Sequence, residues 1–161
     1  FGKNVKFTGL LTGAVAGLAT ITPCAGYVTP TAAAIIGTVS GVVCYLAVSI
    51  KNRLKWDDAL DVWGVHGVGG VLGTISVGLF ATLAVNGGGS DGVFAGGGAS
   101  LLFKQTIAVL GASVWAFAFT YGMLYVIDKV TPVKVSEADE VAGLDTSLHS
   151  EQAYDLDAKS I

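Results

Sequence analysis

The sequence predicts an all-α fold, a bundle of helices that crosses a membrane several times. Only 13% of the 161 residues are charged and 52% are hydrophobic, whereas about 25% of a typical soluble domain is charged. No charged residue lies from Phe7 to Ile50, and Asp91 is the only one between Val62 and Lys104. A soluble domain needs a charged surface to stay dispersed. A very hydrophobic soluble bundle is therefore the less favoured alternative.

Four apolar stretches have the length of a membrane span, which is about 20 residues for a helix. The uncharged run 7–50 is about twice that length and is interrupted by Pro23 and Pro30. Because proline cannot continue a helix interior, we interpret this run as two helices, at about residues 8–22 and 31–50. Two more are predicted at about 58–85 and 99–127. Residues 1–127 then form the membrane part.

The charges between these stretches predict the orientation of the chain. Lysine and arginine precede the first span and follow the second and the fourth: Lys3, Lys6, Lys51, Arg53, Lys55, Lys129 and Lys134. The glycine-rich loop 86–98 carries neither, and we expect a flexible external connector there. Since cytoplasmic loops are enriched in positive charge, residues 128–161 are predicted to form a cytoplasmic tail. The net charge of −3, mostly from that tail, argues against a nucleic-acid partner.

Glycines recur at four-residue spacing in three of the predicted spans. The rows are Gly9, Gly13 and Gly17; Gly37 and Gly41; and Gly69 and Gly73. Within lipid, helices associate through close backbone contact rather than through the hydrophobic effect. These rows predict a tightly packed bundle and by themselves say nothing about function.

His66 is the candidate functional residue of the third span. An ionisable side chain inside a membrane is costly and is a functional hypothesis by default. His66 lies five residues after Asp61, which is about 7 Å along a helix, and glycines surround it in sequence. A neutral imidazole has one donor and one acceptor, so it could hold a small polar solute or relay a proton. A core histidine bonded to a backbone carbonyl is an equally weighted alternative.

Three polar residues near the ends of the predicted helices leave two interpretations open. Asp58 and Asp61 either cap the third helix and pair with Lys51, Arg53 or Lys55, or anchor the vestibule of a pore. Thr22, before Pro23, either ends its helix or leaves polar groups unpaired at a water-filled cavity.

Enzymatic and cofactor sites find no support in the sequence. Cys24 and Cys44 lack metal-ligand or redox spacing and are interpreted as small buried hydrophobes. Gly67 and Gly69 begin a nucleotide-binding pattern that Leu72 breaks, and no strand precedes them. We therefore predict neither an enzyme nor a cofactor nor a metal site.

Two segments and the tail together resemble one protein family. Residues 13–28 (GAVAGLATITPCAGYV) are similar to the eighth span of Amt/Mep ammonium transporters, in the wider Amt/Mep/Rh family, and residues 57–70 (DDALDVWGVHGVGG) to the start of the tenth. Gly143, Asp145 and Tyr154 belong to a stretch that resembles the cytoplasmic C-terminal region of the Amt branch. The resemblance covers nearly the whole chain and implies the C-terminal part of an eleven-span fold, spans eight to eleven plus the tail.

This resemblance implies a homotrimer in the plasma membrane with one pore in each subunit. His66, Val62 and Val15 would line an apolar pore, and Thr22 would lie near the outer recruitment site. Asp58 and Asp61 would shape the inner mouth. Gly143, Asp145, Ser147 and Tyr154 would belong to a regulatory tail, with Ser147 at a position where some plant members carry a phosphorylatable threonine.

The resemblance implies transport of ammonium as its neutral form, ammonia, past His66. Methylammonium, carbon dioxide and water remain alternative solutes. A second hypothesis is an ammonium sensor or regulatory scaffold whose tail is read by a partner such as a PII signalling protein. The first seven spans of the family are not in this sequence, so the piece alone could not form the family's pore.

Overall fold

The computed structural model of the chain describes residues 7–152, all of whose regular structure is helical. Six α-helices occur in this range: α1 (Phe7–Ile21), α2 (Pro30–Leu54), α3 (Gly69–Phe80), α4 (Ser100–Asp128), α5 (Glu137–Ala142) and α6 (Leu144–His149). A π-helical segment, Trp63–Val68, leads directly into α3, and 3-10 turns occupy Thr22–Cys24 and Val93–Ala95. Four stretches are long and apolar enough to cross a membrane: Phe7–Cys24, Pro30–Leu54, Trp63–Phe80 and Ser100–Asp128. The predicted fold class is thereby confirmed.

Helices α1, α2 and α3 pack against one another around two small apolar clusters. One cluster contains Cys24, Ile36, Val77 and Ala81, and the other contains Ala16, Cys44 and Val65. Both cysteines are free and buried, as the sequence predicted. Small side chains dominate these contacts, so the three backbones approach closely.

Local sequence explains both ends of α2. Thr29 accepts the backbone N–H of Ala32 at 3.3 Å, and Pro30 occupies the first helical turn, where its missing N–H costs nothing. Lys51 and Arg53 lie in the last turn, where positive charge stabilises the helix dipole. The helix ends at Lys55, whose φ of 55° is left-handed.

The third span is shorter at both ends than predicted. Asp61 has a φ of 56°, which a right-handed helix does not accommodate, so the helix begins after it rather than at residue 58. At the other end, Ala81 turns to a ψ of 144° and the N–H of Thr82 donates to the Tyr27 carbonyl at 2.9 Å. The predicted end at residue 85 therefore lies in a loop.

Only one of the three glycine rows lies in a close contact between described residues. A Cβ at Gly73 would overlap the backbone carbonyl of Thr20, and one at Gly69 would lie 2.8 Å from the Thr20 hydroxyl. By contrast, a Cβ added at any glycine of the other two rows would meet no neighbouring atom of residues 7–152 within 4 Å: Gly9, Gly13, Gly17, Gly37 and Gly41. The four-residue spacing therefore does not by itself identify a helix contact.

The glycine-rich loop after α3 has defined turns where we expected a flexible connector. Asp91 accepts the backbone N–H of Leu83 at 2.8 Å, and the N–H of Gly92 donates to the Ala81 carbonyl at 2.8 Å. A Cβ at Gly92 would come within 2.8 Å of the Gly78 carbonyl oxygen, and Gly96 has a φ of 88°. Glycine is needed here for close approach and left-handed backbone, not for flexibility.

The chain divides into two compact units, residues 1–113 and 114–161, with the boundary inside α4. In the second unit the described tail contains α5 and α6. Ser136 caps α5 by accepting the N–H of Asp139 at 3.1 Å, and Gly143, with a φ of 96°, separates the two short helices. The described part of the tail is therefore partly helical.

Candidate functional site

His66 lies in the π-helical segment at the start of the third span. A π-helix bonds i to i+5, is rare, and occurs mostly as short segments that are often found at functional sites. Gly64 and Val65 of this segment are buried, whereas His66 and Gly67 are exposed. The imidazole therefore lies on the side of the segment that residues 7–152 leave uncovered. Residues 7–152 therefore do not enclose the imidazole by themselves.

Two glycines fix the opposite side of the His66 segment. A Cβ at Gly64 would lie 2.7 Å from Cγ2 of Val48 on α2. One at Gly69 would lie 2.8 Å from the Thr20 hydroxyl and 3.3 Å from Sγ of Cys44. Such distances are tolerated only without a side chain, because packed interiors leave no room for an added methyl group. The helix that carries His66 is therefore seated directly on α1 and α2.

Asp58 caps the start of this helix with its carboxylate. Oδ1 accepts the N–H of Val62 and Oδ2 the N–H of Trp63, both at 2.9 Å. The bond from Trp63, then that from Val62 and the nearby Lys51 charge, hold the pKa of Asp58 below its ordinary value of 3.8. The carboxylate is thus charged at neutral pH and satisfies two N–H groups that the helix itself leaves unpaired.

Lys51 is the partner of Asp61, out of the three cations that the sequence left open. Its ammonium lies 2.6 Å from Asp61 Oδ1, and its side chain is only 6% exposed. The same ammonium donates to the backbone carbonyl of Asp58 at 2.5 Å. Asp58 and Asp61 are therefore brought together at the helix start, both through Lys51.

The other residues predicted for the pore and its outer end lie on the exposed surface of residues 7–152 or in the turn that ends α1. Val15 on α1 and Val62 are both exposed. The Thr22 hydroxyl donates to the Leu18 carbonyl at 2.7 Å, and the Thr22 carbonyl accepts the Ala25 N–H at 3.2 Å. Of the two interpretations left open at Thr22, these bonds favour the plain end of a helix, because its hydroxyl and its carbonyl both have partners.

A cavity of about 710 Å³ lies between α1, α2 and the start of the third span. Small and polar residues such as Gly13, Gly41 and Ser49 line it, together with Asp61 and Val65. His66, Val62 and Val15 are not part of its lining. In the described range, this cavity therefore touches the predicted site only through Asp61.

A buried pair of hydroxyl groups between α1 and α2 was not anticipated from the sequence. Thr20 and Ser40 are both fully buried, and their hydroxyl oxygens lie 2.7 Å apart. Ser40 donates to the Ala16 carbonyl at 2.9 Å, so its one proton is used and Thr20 donates to Ser40. Each residue had looked like an ordinary small polar residue in an apolar run, and no spacing rule pairs positions twenty residues apart.

The tail residues form one local arrangement. The Gly143 N–H donates to the Asp139 carbonyl at 3.0 Å, and the Gly143 carbonyl accepts the Ser147 N–H at 2.9 Å. Asp145 Oδ1 accepts the N–H of Thr146 at 2.9 Å, and the Ser147 hydroxyl lies 3.5 Å from the Asp139 carbonyl. Tyr154 lies outside the described residues.

Metal chemistry has no ligand set in the part of the chain that the structure describes, since no three His, Cys, Asp or Glu residues group there. What residues 7–152 offer instead is one imidazole on an uncovered face of a membrane-length helix, held by a carboxylate cap and a buried ion pair. Such an arrangement can donate or accept one hydrogen bond to a small solute.

Comparison with known proteins gives a consistent result. Residues 1–154 match the model of the Ammonium Transporter Family. An ammonium transporter of Bacillus subtilis is 44% identical over 153 residues, covering 94% of this chain and 38% of that protein. Ammonium transporter Amt1 of Archaeoglobus fulgidus is 42% identical over 149 residues, covering 91% of this chain and 37% of that protein.

Solved structures agree with the sequence comparisons. Mep2 of Saccharomyces cerevisiae matches with a TM-score of 0.78 and 32% identity, covering 85% of this chain and 32% of that one. Mep2 of Candida albicans matches with a TM-score of 0.76 and 34% identity, covering 84% and 31%. The chain thus spans less than two-fifths of the length of the relatives it matches. Because the family model matches almost all of its residues, the chain belongs to the Ammonium Transporter Family.

Proposed function

We propose that this chain is the C-terminal part of a transporter subunit that moves ammonium across the plasma membrane. Ammonium is captured outside, gives up its proton, and crosses as ammonia through an apolar pore that His66, Val62 and Val15 line. Membership of the family supports the substrate class. The position of His66 on an uncovered face of a membrane-length helix is the observation that carries the mechanism.

The chemistry of an apolar pore favours the neutral form of the solute. Moving an unpaired charge out of water into a medium of low dielectric constant is very costly, whereas a small neutral amine loses far less. A neutral imidazole supplies one donor and one acceptor, so His66 can replace part of the water shell of ammonia as it passes. For potassium and sodium ions, the apolar pore offers nothing to replace their water shell and balance the cost of moving the charge.

The other predicted residues have supporting roles in this proposal. Thr22 lies near the outer recruitment site, and Asp58 and Asp61 shape the inner mouth. The capping bonds of Asp58 and the ion pair of Asp61 support a structural role there. Three subunits, each with its own pore, make up the assembly, and the tail from residue 128 onward faces the cytoplasm.

Uptake of ammonium or of its analogue methylammonium by the full-length subunit tests the proposal. We expect His66→Ala to abolish selective uptake, while the matched variant His149→Ala, in the tail, leaves uptake unchanged. Both proteins must be present in the membrane at wild-type amounts. Undiminished, selective uptake by His66→Ala would remove His66 from the mechanism.

A regulatory role of the tail is the second candidate function. The hydrogen bonds around Gly143 and the Ser136 cap support a folded tail that a cytoplasmic partner, such as a PII-type protein, could read. Gly143, Asp145, Ser147 and Tyr154 are the residues proposed for it. Deletion of residues 137–161 from the full-length subunit should abolish regulation and keep basal uptake. Loss of all uptake would show instead that the tail holds the pore open.

A further inference from the structure

The Lys51 ammonium is a charge buried at the end of α2. Its side chain is 6% exposed, and its two acceptors are Asp61 Oδ1 at 2.6 Å and the Asp58 carbonyl at 2.5 Å. Burying an ammonium is costly unless it is paired and hydrogen-bonded. Both acceptors belong to the loop that leads into the helix of His66. The buried ammonium therefore keeps its hydrogen bonds only while that loop holds its present conformation.

The two acceptor residues are also the first hydrogen-bonding partners of the His66 segment. The Asp58 carboxylate accepts the N–H groups of Val62 and Trp63. The Asp61 carbonyl accepts the N–H of Val65 at 2.9 Å. Each of the two residues that Lys51 holds thus also bonds directly to the start of the turn that carries His66.

Asp61 adopts a backbone conformation that needs outside support. Its φ is 56°, a left-handed conformation that aspartate adopts more readily than most residues but that still needs support from its surroundings. Two contacts hold it there: the ion pair to the buried Lys51 ammonium, and the Asp61 N–H, which donates to the Asp58 carbonyl at 3.3 Å. Release of the ion pair lets Asp61 return to an ordinary conformation and moves the helix start.

The far side of the segment cannot follow such a movement. Gly64 lies against Val48, and Gly69 lies against Thr20 and Cys44, at distances that leave no space for a shift. A change at the start is therefore absorbed within the π-helical turn, where His66 lies. Lys51 itself makes no contact with His66 among the described residues, so its effect on the ring is indirect.

We propose that Lys51 is a positioning residue for His66: by holding Asp61 and the Asp58 carbonyl, it fixes the start of the π-helical turn and so the direction of the imidazole. This inference rests on the proposed function, in which His66 lines the path. It assigns to Lys51 a role separate from general folding. The exposed cations of the same turn and the loop after it, Arg53 and Lys55, carry no such role.

A pair of charge-removing variants in the full-length subunit separates positioning from folding. Removal of one partner leaves a buried charge unpaired and is strongly destabilising, whereas removal of both is often tolerated. We expect Asp61→Asn, which leaves the buried Lys51 ammonium unpaired, to accumulate poorly, and Lys51→Met combined with Asp61→Asn to recover wild-type amounts of folded protein. Methylammonium uptake per folded protein stays low in both, by roughly tenfold to a hundredfold, because small misplacements of a functional group have effects of this size.

Three controls complete the test. Arg53→Met removes an exposed charge in the same turn and should keep wild-type uptake, and Lys51→Arg, which keeps the charge, should recover most uptake per folded protein. Wild-type uptake per folded protein in the double variant would overturn the proposal, as would a double variant that does not fold. His66→Ala is measured alongside: if that variant transports normally, the proposed function itself fails, and if it is inactive while the double variant is active, only the role of Lys51 is lost.

Discussion

The helix that carries His66 and helix α4 are both apolar and of membrane length, yet they differ in what surrounds them. Gly64, Gly69 and Gly73 of the first are in tight contact with α1 and α2. Helix α4 has no buried residue within the described range. Its aromatic contacts join residues of the same helix, Trp115 with Phe119 at 5.9 Å and Phe117 with Tyr121 at 6.0 Å.

The difference shows that apolar composition and contact are separate properties in a membrane protein. Lipid is as apolar as leucine, so composition alone brings no two helices together. In the His66 helix, glycines let the backbone approach α1 and α2 closely, and a few polar groups form hydrogen bonds between the helices. Helix α4 meets the third span at its first turn, where a Cβ at Gly78 would lie 2.5 Å from Cα of Leu102. Around the large side chains further along α4 we expect lipid or other protein surfaces.

The largest effect should follow from adding one methyl group to the packed helix. A Cβ at Gly73 would overlap the Thr20 carbonyl, which is backbone and cannot rotate away. We expect Gly73→Ala to lower the free energy of unfolding of the full-length subunit by about 3 kcal/mol. Equilibrium unfolding in detergent measures this loss.

Gly111→Ala on α4 is the matched control, because no described atom lies within 4 Å of its Cβ position. This variant should be neutral or more stable by up to about 1 kcal/mol, as alanine is the better helix former. A large loss of stability at Gly111 would instead break the comparison, since it would reveal a tight contact on α4 in the assembled protein.

A smaller effect is expected from the buried hydroxyl pair. Ser40→Ala leaves the Thr20 hydroxyl without its acceptor and should cost about 2 kcal/mol of unfolding free energy. Thr20→Val removes only one interhelical bond and should cost about 0.6 kcal/mol. Ser113→Ala on α4 is the comparison, because that hydroxyl donates only to the Val109 carbonyl of its own helix. Equal costs for Ser40→Ala and Ser113→Ala would contradict a special role for the buried pair.

The smallest effect concerns pH and Asp58. The N–H of Trp63, first among the causes, lowers the pKa of Asp58 in the folded state. A carboxylate with a lowered pKa stabilises the fold above its unfolded pKa of about 3.9, and this contribution is lost as the pH falls through the folded value. The stability difference between wild type and Asp58→Asn should therefore be constant from about pH 5 to 8 and shrink below about pH 4.

Melting temperatures measured from pH 3 to 8 check this prediction. The effect is small because asparagine is also a good helix cap. A difference that grows as the pH falls would mean that Asp58 does not act through its charged form.

The lengths of the apolar stretches and the distribution of charge predicted the helical class, the four spans and the partners available to Asp61, but not the contacts. Gly41 and Gly69 both belong to four-residue rows, and only Gly69 has described atoms where a Cβ would lie. The spacing describes one helix, whereas contact depends on which neighbour faces it. Similarly, Lys51 is the buried cation that meets Asp61, whereas Arg53 and Lys55 are exposed, and no pattern in the residues indicates which of the three faces the helix start.

The most direct measurement is the structure of the full-length protein at a resolution that shows water molecules. The account predicts that the His66 ring borders a continuous passage, with a water or ammonia molecule at about 3 Å from a ring nitrogen. A ring that faces lipid, or that protein atoms enclose on every side, would contradict it.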